Sequence, residues 1–195
     1  MIKVMHRVNN PKDLNKIDSK IGIEVDVHGY NKRIVVNHDP FVKSVEFSKW
    51  LNNYNHKILF VNIKEEGIES EVLKILNKKN VSNFVLFDVS FPFIYKLLSQ
   101  NQRKLAIRIS KYEALEGFVK LKIKPKWVWL DLFEDIIPLS KKSHMLLRQN
   151  KIKIIIVSPE LHGRNIDNIK KIKNQIKRRN INIDAVCTKV PDLWN

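Results

Sequence analysis

The sequence predicts an α/β fold built on a parallel sheet, and three observations carry that expectation. Short apolar, β-branched runs recur nine times along the chain. Amphipathic stretches with helical spacing separate most of them. Polar residues close one apolar run after another. Strands joined by crossover helices lie parallel, so the alternation points to a closed β/α barrel or an open doubly wound sheet. No GxGxxG or phosphate-loop glycine pattern supports the open form.

The elements follow in order. The first strand-like run is Ile2 to Arg7, followed by "NNPKDLNKIDSK", long enough for only about two helical turns. The runs Ile21 to Val27 and Arg33 to His38 are separated by "HGYNK", too short for a crossover helix. One of the two is therefore a hairpin arm, which reconciles nine runs with the eight staves of a barrel. The next is Lys57 to Lys64, and "IESEVLKILNKKN" then sets Ile68, Val72, Ile75 and Leu76 on one helical face. Asn83 to Val89 precedes "PFIYKLLSQNQ", which has Pro92 at a helix start. The last four runs are Lys104 to Ser110, Trp127 to Phe133, Lys151 to Ser158 and Ile183 to Thr188. Among them, "SKKSHMLLRQN" and "NIDNIKKIKNQIKRRN" end in basic residues, as a helix dipole favours. Trp127, Trp129 and Trp194 read as core or cap, and Trp50 as helix packing.

The polar residues at the run ends suggest chemistry. His6 and Arg7 close the first run, and Glu24 and Asp26 lie near the end of the second. His38 and Asp39 close the third, and Asn62 and Lys64 the fourth. In a β/α barrel these ends share one mouth, and residues two apart on a strand share a face. Glu24, Asp26 and Asn62 form a hard oxygen set suited to Mg²⁺ or Ca²⁺ rather than zinc. His6 and His38 supply a general acid and base, while Arg7 and Lys64 hold phosphate oxygens and steady developing charge. Together these residues form a kit for cleaving a phosphodiester. Later in the chain, "SPELHGR" places Glu160, His162 and Arg164 after the eighth run, where all three are read as substrate contacts, Glu160 foremost. Arg108 and Asp131 line the barrel or form a buried ion pair.

Composition narrows the class. The 195 residues, 44% of them apolar, suit a single folded domain over the whole chain. The 36 Lys and Arg against 20 Asp and Glu give a net charge of +16. Heavy use of Lys, Asn and Ile makes this mainly a compositional bias, and no zinc-finger, helix-turn-helix or aromatic-interleaved basic motif signals a specific nucleic-acid partner. One cysteine, Cys187, excludes an internal disulfide. No signal-peptide core and no apolar run near the ~20 residues of a membrane span is present, so a cytoplasmic setting without a transmembrane segment is expected. Oligomeric state is not encoded in any pattern found.

At this point the motifs resemble a known family. "MHRV", "IGIEVDV", "VVNHDP", "FVNIKEE", "VSFPFIYKLL" and "AVCTKVPDLW" occur in the order seen in glycerophosphodiester phosphodiesterases. The resemblance covers nearly the whole chain and is most specific over its first 66 residues. It implies a compact TIM-type (β/α)8 barrel with shortened helices, a divalent metal (Mg²⁺ or Ca²⁺) on acidic residues, and a small phosphodiester substrate. Residue by residue, it implies acid/base roles for His6 and His38, phosphate binding by Arg7, metal ligation by Glu24 and Asp26, and charge neutralisation by Lys64. It further implies attack by a neighbouring substrate hydroxyl, giving a cyclic phosphate that water opens. The sequence also departs from the family pattern. Asn62 stands where the family has a third carboxylate, Val8 replaces a glycine, and Lys189 replaces an aspartate. The loop after "NHDP" lacks its usual insertion, so the substrate pocket differs from the family's. Two alternatives follow: a non-catalytic anion-binding relative with a degraded metal site, and a hydrolase of lipid or surface-polysaccharide phosphodiesters.

Overall fold

A computed structural model describes residues 1–195. Nine strands form where the apolar runs lie: β1 (Ile2–Met5), β2 (Gly22–Tyr30), β3 (Arg33–Val36), β4 (Leu59–Ile63), β5 (Phe84–Phe87), β6 (Ala106–Ile109), β7 (Trp127–Leu130), β8 (Lys153–Val157) and β9 (Ala185–Thr188). Seven helices separate them: α1 (Pro11–Leu14), α2 (Phe47–Trp50), α3 (Glu69–Lys78), α4 (Phe91–Ser99), α5 (Glu116–Val119), α6 (Lys141–Gln149) and α7 (Asn168–Arg178). Three of these, α1, α2 and α5, are single turns of four residues. The chain packs as two compact units, Met5–Lys96 and Met1–Val4 with Leu97–Asn195.

In the Met5–Lys96 unit, β2 pairs parallel with β4, and β4 parallel with β5. The strand β3 turns back antiparallel on β2, from Val27 opposite Val36 to Tyr30 opposite Arg33. It is the hairpin arm that the short "HGYNK" connection requires. Asn31 and Lys32 turn the corner at φ 46° and 62°, the left-handed pair that matches strand twist in a two-residue loop. The parallel strands are buried end to end: all five residues of β4 are buried, and so are all four of β5. Such near-continuous apolar strands are what a sheet covered on both faces demands. Phe47 and Trp50 of α2 are wholly buried and stacked at 6.1 Å. The Trp50 indole donates to the Val8 carbonyl at 3.1 Å, so its one polar atom is satisfied.

In the other unit, β6, β7, β8 and β9 pair parallel in that order, with β1 beside β9. The core there includes Ile109, Leu130, Ile154 and Ile156 from the strands, with Leu147 of α6 and Ile172 of α7. Helix α6 begins at Ser140, whose hydroxyl accepts from the Ser143 N–H at 3.0 Å, a side-chain cap. Trp127, Trp129 and Trp194 are buried, as their expected core role requires. Cys187 is a buried free thiol. No helix is long and apolar enough to cross a membrane.

Candidate active site

Strand β2 carries the centre of the site. Glu24 and Asp26, two apart, share a face and are buried to 0% and 1% exposure. Parallel register sets Asn62 of β4 beside Asp26. Lys64, just past β4, is anchored by its N–H donating to the Val27 carbonyl at 3.1 Å. Its Nζ lies 3.4 Å from Asp26 Oδ1. On the other side, Arg7 Nε lies 3.5 Å from Asp26 Oδ2. Asp26 therefore sits between two cations.

The segment after β1 wraps around both carboxylates. Arg7 adopts a left-handed backbone, φ 55°, unusual for a residue with a side chain. Its N–H donates to Glu24 Oε2 at 2.6 Å, and the Val8 N–H donates to the Glu24 carbonyl at 2.9 Å. His6 Nε2 lies 3.7 Å from Glu24 Oε2. Asn9 closes the turn with two bonds to one residue. Its amide donates to Asp26 Oδ2 at 2.9 Å, and its carbonyl accepts from the Asp26 N–H at 3.0 Å.

His38 is held differently. Its Nδ1 lies 2.8 Å from Asp39 Oδ1, and its main-chain carbonyl accepts from Nε2 of the buried His28 on β2 at 2.9 Å. The His38 ring is 40% exposed and open to a ligand. Hydrogen bonding to His38 holds the Asp39 carboxyl below its usual range, and the charge of Arg7 adds to that effect. The His38–Asp39 pair thus lies within electrostatic reach of the cluster around β2.

Burial dominates the electrostatics. Desolvation, with repulsion from Asp26, pushes the Glu24 carboxyl up to about 8, against the pull of the Arg7 N–H and the nearby cations. Burial thus favours the neutral form of Glu24, beside Asp26 and its two cationic neighbours, Arg7 and Lys64.

The residues also bear on a metal. Glu24 Oε1 and Asn62 Oδ1 are buried without a hydrogen-bond partner. Two orphaned oxygens on adjacent strands are the donors a hard cation takes. No group of three His, Cys, Asp or Glu converges. Glu24 and Asn62, with Asp26 beside them, are the residues that would hold a hard divalent ion.

Six of the expected residues, His6, Arg7, Glu24, Asp26, Asn62 and Lys64, come together in this way, and His38 is tied to β2 through its main-chain carbonyl and His28. Glu160 does not join them as a free ligand. One carboxylate oxygen accepts from Thr188 Oγ1 at 2.5 Å and the Lys189 N–H at 3.1 Å, and the other from the Ser158 hydroxyl. Trp194 Nε1 donates to the same Ser158 oxygen at 2.9 Å. Glu160 thus braces its loop against β9. Sequence reasoning missed Asn9 and His28. The only available signal for Asn9 was an amide two residues after a strand-closing arginine.

These strands and connections define the class, an α/β barrel. A solved structure of glycerophosphodiester phosphodiesterase from Agrobacterium tumefaciens str. C58 superposes with a TM-score of 0.64. The match covers 100% of this chain and 99% of that one at 10% sequence identity. The fold is therefore that of a TIM-type barrel, with eight parallel strands and β3 outside the set. No family model matches the sequence, and no curated protein matches it.

Proposed function

We propose that this protein is a metal-dependent phosphodiester hydrolase resembling glycerophosphodiester phosphodiesterases, with a small phosphodiester as substrate. The observation that carries the reading is Asp26 flanked by Arg7 at 3.5 Å and Lys64 at 3.4 Å, beside a His6–Glu24 pair at 3.7 Å. That arrangement offers two cations to a phosphoryl group next to an imidazole.

The cations bind and orient the diester, and Lys64 steadies the charge that grows on the phosphoryl oxygens as the nucleophile arrives. Asp26 keeps both cations in place between turnovers. His6, held by Glu24, and His38, oriented by Asp39, share the two proton transfers: one takes the proton of the attacking hydroxyl, the other delivers one to the leaving oxygen. Glu24, Asp26 and Asn62 are the residues that would hold a divalent ion, which would supply further charge neutralisation there.

Turnover of a glycerophosphodiester panel with added Mg²⁺, Ca²⁺ or Mn²⁺ tests the reading. Activity abolished by EDTA, and lost in His38→Ala, is the expected result. Undiminished activity in chelator removes the metal role, and a wild-type rate for His38→Ala removes its acid/base role. A second reading, a non-catalytic phosphate-binding relative, is favoured by the uncharged Asn62 and the net charge of +16. It predicts phosphate binding with no turnover under any added ion.

A further inference from the structure

The unit made of Met1–Val4 and Leu97–Asn195 carries a second cluster, which the proposed chemistry does not use. At its centre is Asp131, immediately after β7 and 4% exposed. Its N–H donates to the Ile109 carbonyl at 2.9 Å. Oδ1 accepts from Trp129 Nε1 at 3.3 Å and lies 3.2 Å from His162 Nε2. Oδ2 lies 3.1 Å from Arg108 Nε. Arg108 is near the end of β6, and His162 is in the turn after β8, so the three come from successive parallel-paired strands. Those ends are where a β/α barrel builds its sites.

A carboxylate this buried is costly unless cationic or donor groups surround it. Here they do. His162 Nε2 is buried beside Asp131 without a hydrogen-bond partner, and Nδ1 is the ring's other polar edge. The ring is 22% exposed. It sits 4.9 Å from Phe133, which lies 6.4 Å from Tyr112. Both aromatics face solvent, at 44% and 73% exposure. Arg164 donates to the carbonyls of Leu132 at 2.8 Å and Glu134 at 2.6 Å, fixing the segment that bears Phe133. Lys111 lies 5.7 Å over Tyr112 and is itself paired with Glu134.

We propose that His162, oriented by Asp131 and seated against Phe133, binds an oxyanion attached to a planar ring, an aryl phosphate being the simplest form. The Nδ1–H of the His162 ring meets the oxyanion in the field of Arg108. The faces of Phe133 and Tyr112 meet the ring. Asp131 is a positioning residue, since it acts only through His162 and Arg108. The inference does not depend on the phosphodiesterase reading.

The test is a titration of phenyl phosphate into the whole protein at fixed pH, following the histidine ring signals by NMR. The His162 signal is identified by its loss in His162→Gln. That signal is expected to move saturably, and Phe133→Ala is expected to weaken phenyl phosphate about 5- to 10-fold while leaving inorganic phosphate unchanged. A stationary His162 signal overturns the proposal, whether or not the signals of His6 and His38 respond. Equal affinity of Phe133→Ala and the parent for phenyl phosphate overturns it as well. Movement confined to His6 and His38 supports the site around β2 alone, so the two readings fail separately.

Discussion

Glu24 is an acid held mostly protonated at neutral pH by burial, and that has a consequence for stability. Its carboxyl rises from 4.5 to about 8 on folding, so between those values the folded chain keeps a proton that the unfolded chain releases. Folding stability is therefore full below the lower value and falls as pH rises through the window. Glu24→Gln is expected to flatten this slope, matching the parent at about pH 4 and exceeding it at about pH 9 in urea titrations. A divalent ion must displace the same proton, so added Mg²⁺ or Ca²⁺ is expected to stabilise the parent more at about pH 8.5 than at about pH 5.5. Lys64→Met tests the charge beside Asp26. Removing one donor aimed at developing charge typically costs about 10²- to 10³-fold in kcat, with a smaller change in KM, and steady-state kinetics on the best diester reads both. His6, Arg7 and Lys64 stood out because each closes an apolar run, and Glu24 and Asp26 because two carboxylates lie two apart near the end of one. Asn9 and His28 were not legible: an amide in a loop and a histidine inside a strand show their partners only in three dimensions.

Among the elements, the turn after β8 shows how a plausible ligand becomes a brace. Glu160 accepts from Ser158, Thr188 and the Lys189 N–H, and Ser158 and Thr188 are both fully buried. Glu160→Ala leaves two buried hydroxyls without their acceptor. The expected loss is about 2 to 4 kcal/mol of stability, seen as a lowered urea midpoint, with KM for any phosphodiester unchanged. A large KM increase without destabilisation would restore Glu160 as a substrate contact. Sequence periodicity could place Glu160 at a strand end. It could not tell that Thr188, 28 positions later, returns to meet it. The strands themselves were easy to read, because β-branched apolar runs such as Ile154 to Val157 have few other uses. The single-turn helices α1, α2 and α5 were harder, because four residues show no period.

For the whole molecule, the chain packs as two compact units, divided between Lys96 and Leu97 within α4. No glycine- or proline-rich linker marks that point, so composition had nothing to register. The net charge of +16 is also a property of the entire surface. Non-specific binding to duplex DNA or heparin is expected, falling by about 10³-fold or more between roughly 50 and 200 mM salt and indifferent to sequence. Fluorescence anisotropy with two unrelated duplexes checks this, and a marked preference for one of them would point to base readout that no motif here provides.

The twisted main chain at Arg7 has a further implication. A glycine would occupy that conformation without strain, yet it would take away the guanidinium beside Asp26. Laboratory evolution towards heat tolerance alone should therefore favour Arg7→Gly, and enrichment of that replacement among hardy but inert survivors would mark the position as one where endurance and turnover are selected in opposite directions.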